Sequence, residues 1–123
     1  MSTTASDQLD LAALKRAIEA RDAATIAGFY APDATIVMVD HDHPPSRPQR
    51  LEGIDAIRAM LDDVYSRDMT HEMTHAVGGS GGAAYTVACR YADGMCVEVA
   101  TVLDVRDGRI VHEEGVQAWD AAG

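Results

Sequence analysis

Positive charge is scarce in this sequence. Its 123 residues include 10 Lys and Arg against 20 Asp and Glu, which gives a net charge of −10 at pH 7. Nucleic acids and anionic lipids are bound by clustered cations, and the 5% of residues that are aromatic are too few for base stacking. We therefore expect no nucleic acid and no membrane as a partner, and favour a small molecule or another protein.

Long apolar runs are also missing, since no stretch approaches the length of about 18 residues that crosses a bilayer. The N-terminus, MSTTASDQLD, lacks the basic start and apolar stretch of a signal peptide. Cysteine occurs twice, as Cys89 and Cys96, which fits a reducing cytoplasm, although a disulfide between them across a hairpin stays open. The expected compartment is the cytoplasm.

Apolar residues are plentiful. They make up 47% of the chain, enough to bury a core without disulfides or metal. The length suits one domain, 1–123, with a flexible N-terminus at about residues 1–6. No spacing resembles a metal motif such as His-Glu-x-x-His, so we predict neither a metal nor a cofactor.

Helical periodicity occurs in three segments, which we predict to be helices: 7–21, 23–30 and 53–67. In the first, Leu11, Leu14 and Ile18 recur at spacings of three and four, as on the buried side of an amphipathic helix. Ser6 and Asp22 are candidate N-caps of the first two helices.

Alternation and β-branched residues predict strands at 34–39, 70–77, 83–91, 95–105 and 109–119. The segment HDHPPSRPQR is predicted to be a loop, because paired prolines cannot hold a strand ladder. The order is helix, helix, strand, helix and then four strands in an antiparallel meander. This segregation predicts an α+β fold with the helices covering one face of a curved sheet.

Three short motifs, FYAPDATIVM, LEGIDAIRAML and LDVRDGRIV, occur in this order within that layout. In this respect the chain, from about Leu9 to Trp119, resembles the nuclear transport factor 2-like superfamily and in particular its SnoaL-like branch. The resemblance implies a conical, curved antiparallel or mixed sheet wrapped around the N-terminal helices, a cystatin-like α+β barrel with a cavity at its wide end. It also implies homodimers that pack through the outer sheet face.

The superfamily includes ketosteroid isomerase, scytalone dehydratase, polyketide cyclases and epoxide hydrolases, so the resemblance leaves the reaction open. The base of ketosteroid isomerases falls at Met38, and their oxyanion donors fall near Leu14 and Thr101. The aspartate of SnoaL-like cyclases falls at Gly115. The family's catalytic residue types are thus absent from these positions, and Asp40, which shares a strand face with Met38, is a displaced candidate base.

The segment THEMTHAV (70–77) adds two candidates, because strand alternation puts His71, Met73 and His75 on one face. If that face points inward, both histidines line the cavity and can act as acid or base near neutral pH. They are roughly 13 Å apart along the strand and cannot share one metal ion. The other interpretation places them at an interface or on a wet surface.

The segment Asp40–His43 (DHDH) is open to three interpretations: a solvated loop, a cavity rim that contacts a ligand, or a metal site with a third ligand from elsewhere. The candidate catalytic residues are Asp40, His71 and His75. The candidate ligand contacts are Tyr30, Met38, Met73, Thr101 and His112.

Three functions remain. The first is a cofactor-independent isomerase, cyclase or dehydratase, with Asp40 as base and His71 or His75 as proton donor, acting on a small apolar or mixed-polarity organic molecule. The second is a non-catalytic ligand-binding or stress-linked accessory protein, and the third is a structural dimer whose cavity is filled by its own side chains.

Overall fold

Helices and strands follow the hydrophobic periods of the sequence. The structure is a computed structural model that describes residues 8–121. These residues form α1 (Leu11–Glu19), α2 (Ala23–Ala27), β1 (Tyr30–Val39), β2 (Gln49–Glu52), α3 (Ile54–Ser66), β3 (Met69–Gly78), β4 (Gly82–Tyr91), β5 (Cys96–Arg106) and β6 (Arg109–Trp119). The segment expected to be flexible, 1–6, and the candidate cap Ser6 lie outside the described residues.

The strands of the described chain form one mixed sheet in the order β2-β1-β6-β5-β4-β3. β1 and β6 run parallel, and the other neighbouring pairs are antiparallel. The predicted meander of the last four strands is therefore confirmed, as is the α+β class. The sheet is open, with β2 and β3 as its edges, so the cone does not close into a barrel.

The helices begin at aspartate caps. Asp10 Oδ1 accepts a hydrogen bond from the Ala13 amide at 3.0 Å, and Asp22 caps α2 in the same way as predicted. α1 packs against β3 and α3 against β1, so that the helices cover one face of the sheet. No helix among residues 8–121 has the length and apolarity needed to cross a bilayer.

Two boundaries near β1 differ from the prediction. The second helix ends at Ala27, and Tyr30 already belongs to β1, because it pairs with Ile110 of β6. The predicted loop at 41–50 also ends early, since Gln49 begins a short edge strand, β2, against β1. In both places strand pairing overrides the local turn signals: Tyr30 pairs with the distant β6, and Gln49 pairs with the preceding strand, β1.

A β-bulge in β3 corrects the expected placement of its histidines. Met73 lies opposite Val87, whereas His75 lies opposite Thr86, so one extra residue separates them on β3. Because a one-residue shift reverses every side chain beyond it, His71 and Met73 face inward and His75 faces outward. The expectation that His71 and His75 share one face is wrong.

The core beneath the cavity is apolar. Leu14 is 1% exposed on α1, at the position that matched the catalytic tyrosine of ketosteroid isomerases. Ile36, Ile57 and Ile110 are equally enclosed. Leu14 is therefore a packing residue that fixes α1 against the sheet.

We expect Leu14→Ala to lower the free energy of unfolding by about 2–5 kcal/mol, because it removes buried methyl groups and leaves a cavity. Urea denaturation followed by circular dichroism measures this loss. Arg16→Ala, on the exposed side of the same helix, should change stability by no more than about 0.5 kcal/mol. Equal losses in the two variants would contradict the assignment of Leu14 to the core.

Candidate functional site

A cavity of ≈ 120 Å³ lies between the helices and the inner face of the sheet. Its wall is mainly aliphatic, with contributions from all three described helices and from β1, β3, β4, β5 and β6. The polar side chains of its inner wall are Tyr30, Tyr65, His71, Tyr85, Thr101 and Glu113. An apolar pocket with a few convergent polar groups is the usual form of a small-molecule site.

The innermost polar contact joins Tyr30 and Glu113. The Tyr30 hydroxyl donates a hydrogen bond to Oε1 of Glu113, and both residues are buried. Burial raises the pKa of the Glu113 carboxyl, although the hydrogen bond from Tyr30 opposes this, and burial likewise holds the pKa of Tyr30 well above its usual value. The pair therefore favours neutral O–H groups inside the cavity.

Tyr85 provides a second buried phenol in the cavity. Tyr85 on β4 is opposite Thr101 on β5, and burial raises the pKa of Tyr85 well above its usual value. Burial also raises the pKa of Tyr65, which reaches the same cavity from α3. Burial thus keeps three phenols protonated and raises the pKa of one carboxyl within a single apolar space.

His71 is the cavity residue best suited to accept a proton. Burial lowers the pKa of His71, and the nearby Arg21 charge lowers it further, so the imidazole is neutral at neutral pH. Nδ1 lies 3.3 Å from Sγ of Cys89, whereas buried Nε2 has no hydrogen-bond partner within residues 8–121. Burial raises the pKa of Cys89 to about 11, which keeps its thiol protonated. The Tyr65 ring packs against the imidazole with centroids 4.7 Å apart.

Met38 and Gly115, the two positions at which the family resemblance led us to expect catalytic aspartates, are neighbours in the structure. They are direct partners in the parallel β1–β6 pair. The Met38 side chain lines the cavity and crosses Gly115 so closely that a Cβ there would be 2.7 Å from its Cε. The Met38 thioether therefore fills the space beside Gly115.

The cavity meets solvent at an aromatic cluster. Tyr91 and Trp119 stack with centroids 5.8 Å apart, and His41 packs on Trp119 at 4.3 Å. Arg67 Nη1 donates to the Tyr91 hydroxyl at 2.9 Å and Nη2 donates to Asp63 at 2.8 Å. Among the described residues that line the cavity, Arg67 is the one with a permanent positive charge.

Asp40 lies outside this cavity lining, in the turn that follows β1. Its Oδ1 is 2.8 Å from Nδ1 of His43 and accepts the Asp42 amide at 2.9 Å. Burial alone would raise the pKa of Asp40, but the hydrogen bonds from His43 and Asp42 outweigh it and lower the pKa. Possible ligand atoms of Asp40, His41 and Asp42 lie within 4.8 Å of one another at the surface.

The other candidates are distributed over two faces. Thr101, Met38 and Tyr30 line the cavity with His71, whereas Met73 is buried in the core beside it. His75 and His112 are on the outer face, where His112 Nδ1 lies 2.6 Å from Thr35 Oγ1 and Nε2 lies 3.0 Å from Glu114. The structure thus brings together His71, Tyr30, Met38 and Thr101, and it leaves Asp40, His75 and His112 apart from them.

Glu113 is the cavity residue that the sequence prediction missed. The prediction named the preceding residue, His112, which faces outward. Alternation counted from the buried Ile110 points to His112 instead, but an irregularity in the β5–β6 pairing moves the inward face to Glu113 and Gly115. Tyr65, Tyr85 and Cys89 were assigned no function because aromatic and thiol side chains in strands and helices usually serve the core.

The geometry defines a class of protein: an open α+β cone around a small, mainly apolar cavity. A model of the SnoaL-like domain matches residues 11–113, and the chain belongs to this family. No curated protein matches the chain in sequence.

Solved structures show the same fold. An NTF2-like protein of unknown function from Mesorhizobium loti is 19% identical with a TM-score of 0.77, covering 94% of this chain and 91% of its own. A proposed ketosteroid isomerase from Kribbella flavida is 18% identical with a TM-score of 0.72, and the match covers 98% of this chain and 79% of the isomerase chain. The epoxide hydrolase/cyclase-like enzyme SalBIII of pyran ring formation in salinomycin is 19% identical with a TM-score of 0.64, covering 88% and 87%.

We expect Glu113→Gln to remove a pH dependence of stability. Because the folded pKa of Glu113 is raised, its contribution is complete below the unfolded value of about 4.3 and is lost as pH rises through the folded pKa. Glutamine keeps an oxygen that can accept the hydrogen bond from the Tyr30 hydroxyl, but its side chain cannot ionise. Urea unfolding across pH 4 to 8 should therefore show less loss of stability with rising pH in the variant than in the wild type.

Glu72→Gln is the matched control, because Glu72 is an exposed carboxyl on β3. Its pH profile should follow that of the wild type. A Glu113→Gln profile parallel to the wild type would mean that Glu113 ionises as easily in the folded chain as in the unfolded one.

Proposed function

We propose that the cavity binds a small, mainly apolar organic molecule and moves protons on it without a cofactor, as an isomerase, cyclase or dehydratase does. The observation that carries this proposal is the Tyr30–Glu113 pair, buried in the same apolar cavity as the neutral imidazole of His71. Donors fixed in a dry cavity stabilise developing negative charge more strongly than water does. A neutral base and a set of neutral acids in one pocket are the parts that proton transfer requires.

The proposed roles follow from the protonation states. When the imidazole proton is on Nδ1 and points to Sγ of Cys89, Nε2 of His71 offers its lone pair as the base. Tyr30 donates its hydrogen bond to Glu113, so the neutral carboxyl of Glu113 and the hydroxyl of Tyr85 are the groups that donate to a substrate oxygen as it gains charge. A ketone that loses a proton next to its carbonyl group is a substrate of this kind.

The comparisons support the class of reaction and leave the substrate open. Proteins named as a proposed ketosteroid isomerase and as an epoxide hydrolase/cyclase-like enzyme share this fold. A fold alone does not carry a reaction, so the proposal depends on the buried acid and base groups. A second candidate, ligand binding without chemistry, is favoured by Met38 and Gly115, which leave no carboxyl where the family resemblance led us to expect one.

Asp40 is the alternative base. Its carboxylate is ionised, but it is held by His43 and the Asp42 amide in the turn after β1. It would act only on a ligand that extends out to the loop, whose neighbour His41 packs on Trp119 at the cavity mouth. His71 is the better base because it lines the cavity itself.

We also infer a homodimer that packs through the outer sheet face. Val77, Val102 and Val116 are 56%, 61% and 55% exposed on this face. Val102 is flanked there by Ala84, its partner on β4. Exposed valines that adjoin one another across several strands form the kind of apolar patch that a partner covers.

Cyclohexanone in D₂O tests the proposed chemistry, because an acid/base site exchanges the hydrogens next to its carbonyl. We expect His71→Gln to slow this exchange by about 10²-fold or more and Tyr30→Phe to slow it less, since the first removes the base and the second removes only the hydroxyl that hydrogen-bonds to Glu113. The exchange rate is measured by ¹H NMR, from the loss of the proton signals of the methylene groups next to the carbonyl. His43→Gln is the same substitution in the turn after β1, outside the cavity lining. This variant should retain the wild-type rate of hydrogen exchange.

The same series separates the alternatives. Exchange lost in Asp40→Asn but retained in His71→Gln would assign the base to Asp40. Cyclohexanone that binds, as judged by the fluorescence of Trp119, but exchanges no faster than in buffer would leave only the ligand-binding function.

Val102→Asp should convert a dimer to a monomer, because burying a carboxylate in an apolar interface without a partner is unfavourable. Sedimentation velocity at micromolar concentration measures the change. Ala59→Asp adds the same charge on an exposed position of α3 and should leave the dimer intact. A monomeric wild type would overturn the dimer proposal.

A further inference from the structure

Met38 is folded against a glycine on the cavity wall. In the β1–β6 pair Met38 is directly opposite Gly115, and a Cβ at Gly115 would be 2.7 Å from Met38 Cε and 2.8 Å from its Sδ. Both distances are shorter than carbon and sulfur atoms tolerate. The end of the Met38 side chain is therefore seated in the space that the missing side chain of Gly115 provides.

This contact leaves little room in the cavity. The cavity measures ≈ 120 Å³, whereas a cavity of about 150 Å³ holds one benzene molecule. Because the cavity opens to solvent beside Tyr91 and Trp119, one six-membered ring fits with its edge in that opening, whereas two fused rings do not fit unless a side chain moves. Three methionines line the cavity, and Met38 is the one whose flexible, unbranched side chain is packed against Gly115.

We propose that the ligand of this site has an apolar body no larger than one six-membered ring, and that Met38, seated on Gly115, is the residue that sets this limit. The inference rests on the proposed small-molecule function and names its substrate class. Larger substituents would extend through the mouth beside Arg67 and Trp119. Fused-ring molecules are excluded from the inner cavity.

Because Met38 and Gly115 are in contact, a substitution at either residue tests the size limit of the ligand. Met38→Ala removes the thioether and opens the wall. Gly115→Ala does the opposite: its new Cβ displaces Met38 into the cavity, while the next neighbour, the Ala100 carbonyl oxygen, is 3.7 Å away and tolerates it. Because Gly115→Ala acts through Met38, its effect should vanish when Met38 is already alanine.

Binding of two matched ketones, cyclohexanone with one ring and 2-decalone with two, provides the measurement. Titrations followed by the fluorescence of Trp119, the single tryptophan and a cavity residue, give the dissociation constants. The wild type should bind cyclohexanone about tenfold or more tightly than 2-decalone. Met38→Ala should bind 2-decalone about tenfold more tightly than the wild type does.

Gly115→Ala should weaken cyclohexanone binding about tenfold in the wild type and less than about twofold in Met38→Ala. Met60→Ala is the control background, because Met60 also lines the cavity but comes from α3. In that background Gly115→Ala should retain its full effect. Thermal unfolding of each variant checks that the fold is kept.

Wild-type protein that binds 2-decalone as tightly as cyclohexanone would overturn the size limit. A Gly115→Ala loss that persists in Met38→Ala would overturn the role of Met38. Both results leave the proposed function standing, since ketone binding and hydrogen exchange are measured separately. If cyclohexanone does not bind at all, both the size class and the proposed function are overturned.

Discussion

The parallel pairing of β1 with β6 is the constraint on which the rest of this structure depends. It is the sheet's one parallel junction among the described strands, and it joins the first strand of the chain to the last. Tyr30 and Glu113, 83 residues apart in sequence, meet through it. Met38 meets Gly115 through the same junction, so both the polar centre and the size of the cavity follow from one strand pair.

Burial then sets the chemistry of the cavity. The apolar wall raises the pKa of Glu113, Tyr30, Tyr65 and Tyr85 and lowers that of His71, since each shift avoids a charge in a medium of low polarity. The same cause, burial, favours the neutral form of the acids and of the imidazole. The charged groups of this acidic chain remain at the mouth and on the surface, where Arg67 and Asp63 form their ion pair.

Local sequence predicted the elements of the fold well where one pairing or one helix face determines them. The meander of β3 to β6 and the helix at Ile54–Ser66 were both legible, because alternation and helical spacing are properties of neighbouring residues. The family resemblance supplied the cavity and its position. Tyr30 was mistaken for a helix end because its partner, Ile110, is distant in sequence, and β2 was mistaken for loop because it is short and follows a proline-rich segment.

The candidate site was predicted less completely. His71, Tyr30, Met38 and Thr101 were named in advance and do line the cavity, whereas a single bulge after Met73 moved His75 to the other face. A strand pattern cannot reveal a bulge, because the position of the extra residue depends on the hydrogen bonds that β3 makes with β4 and with α1. Here Glu19 of α1 accepts the Met73 amide at 3.0 Å.

The sequence by itself determined the α+β class, the order of the elements and the excess of negative charge, because these depend on composition and on short-range periodicity. Only the tertiary structure decided that Glu113 is a buried partner of Tyr30, that Met38 rests on Gly115, and that Asp40 is held in a turn outside the cavity lining. The physical reason is that strand register and burial are set by contacts between distant parts of the chain. Those contacts determine which side chains of an alternating strand are buried.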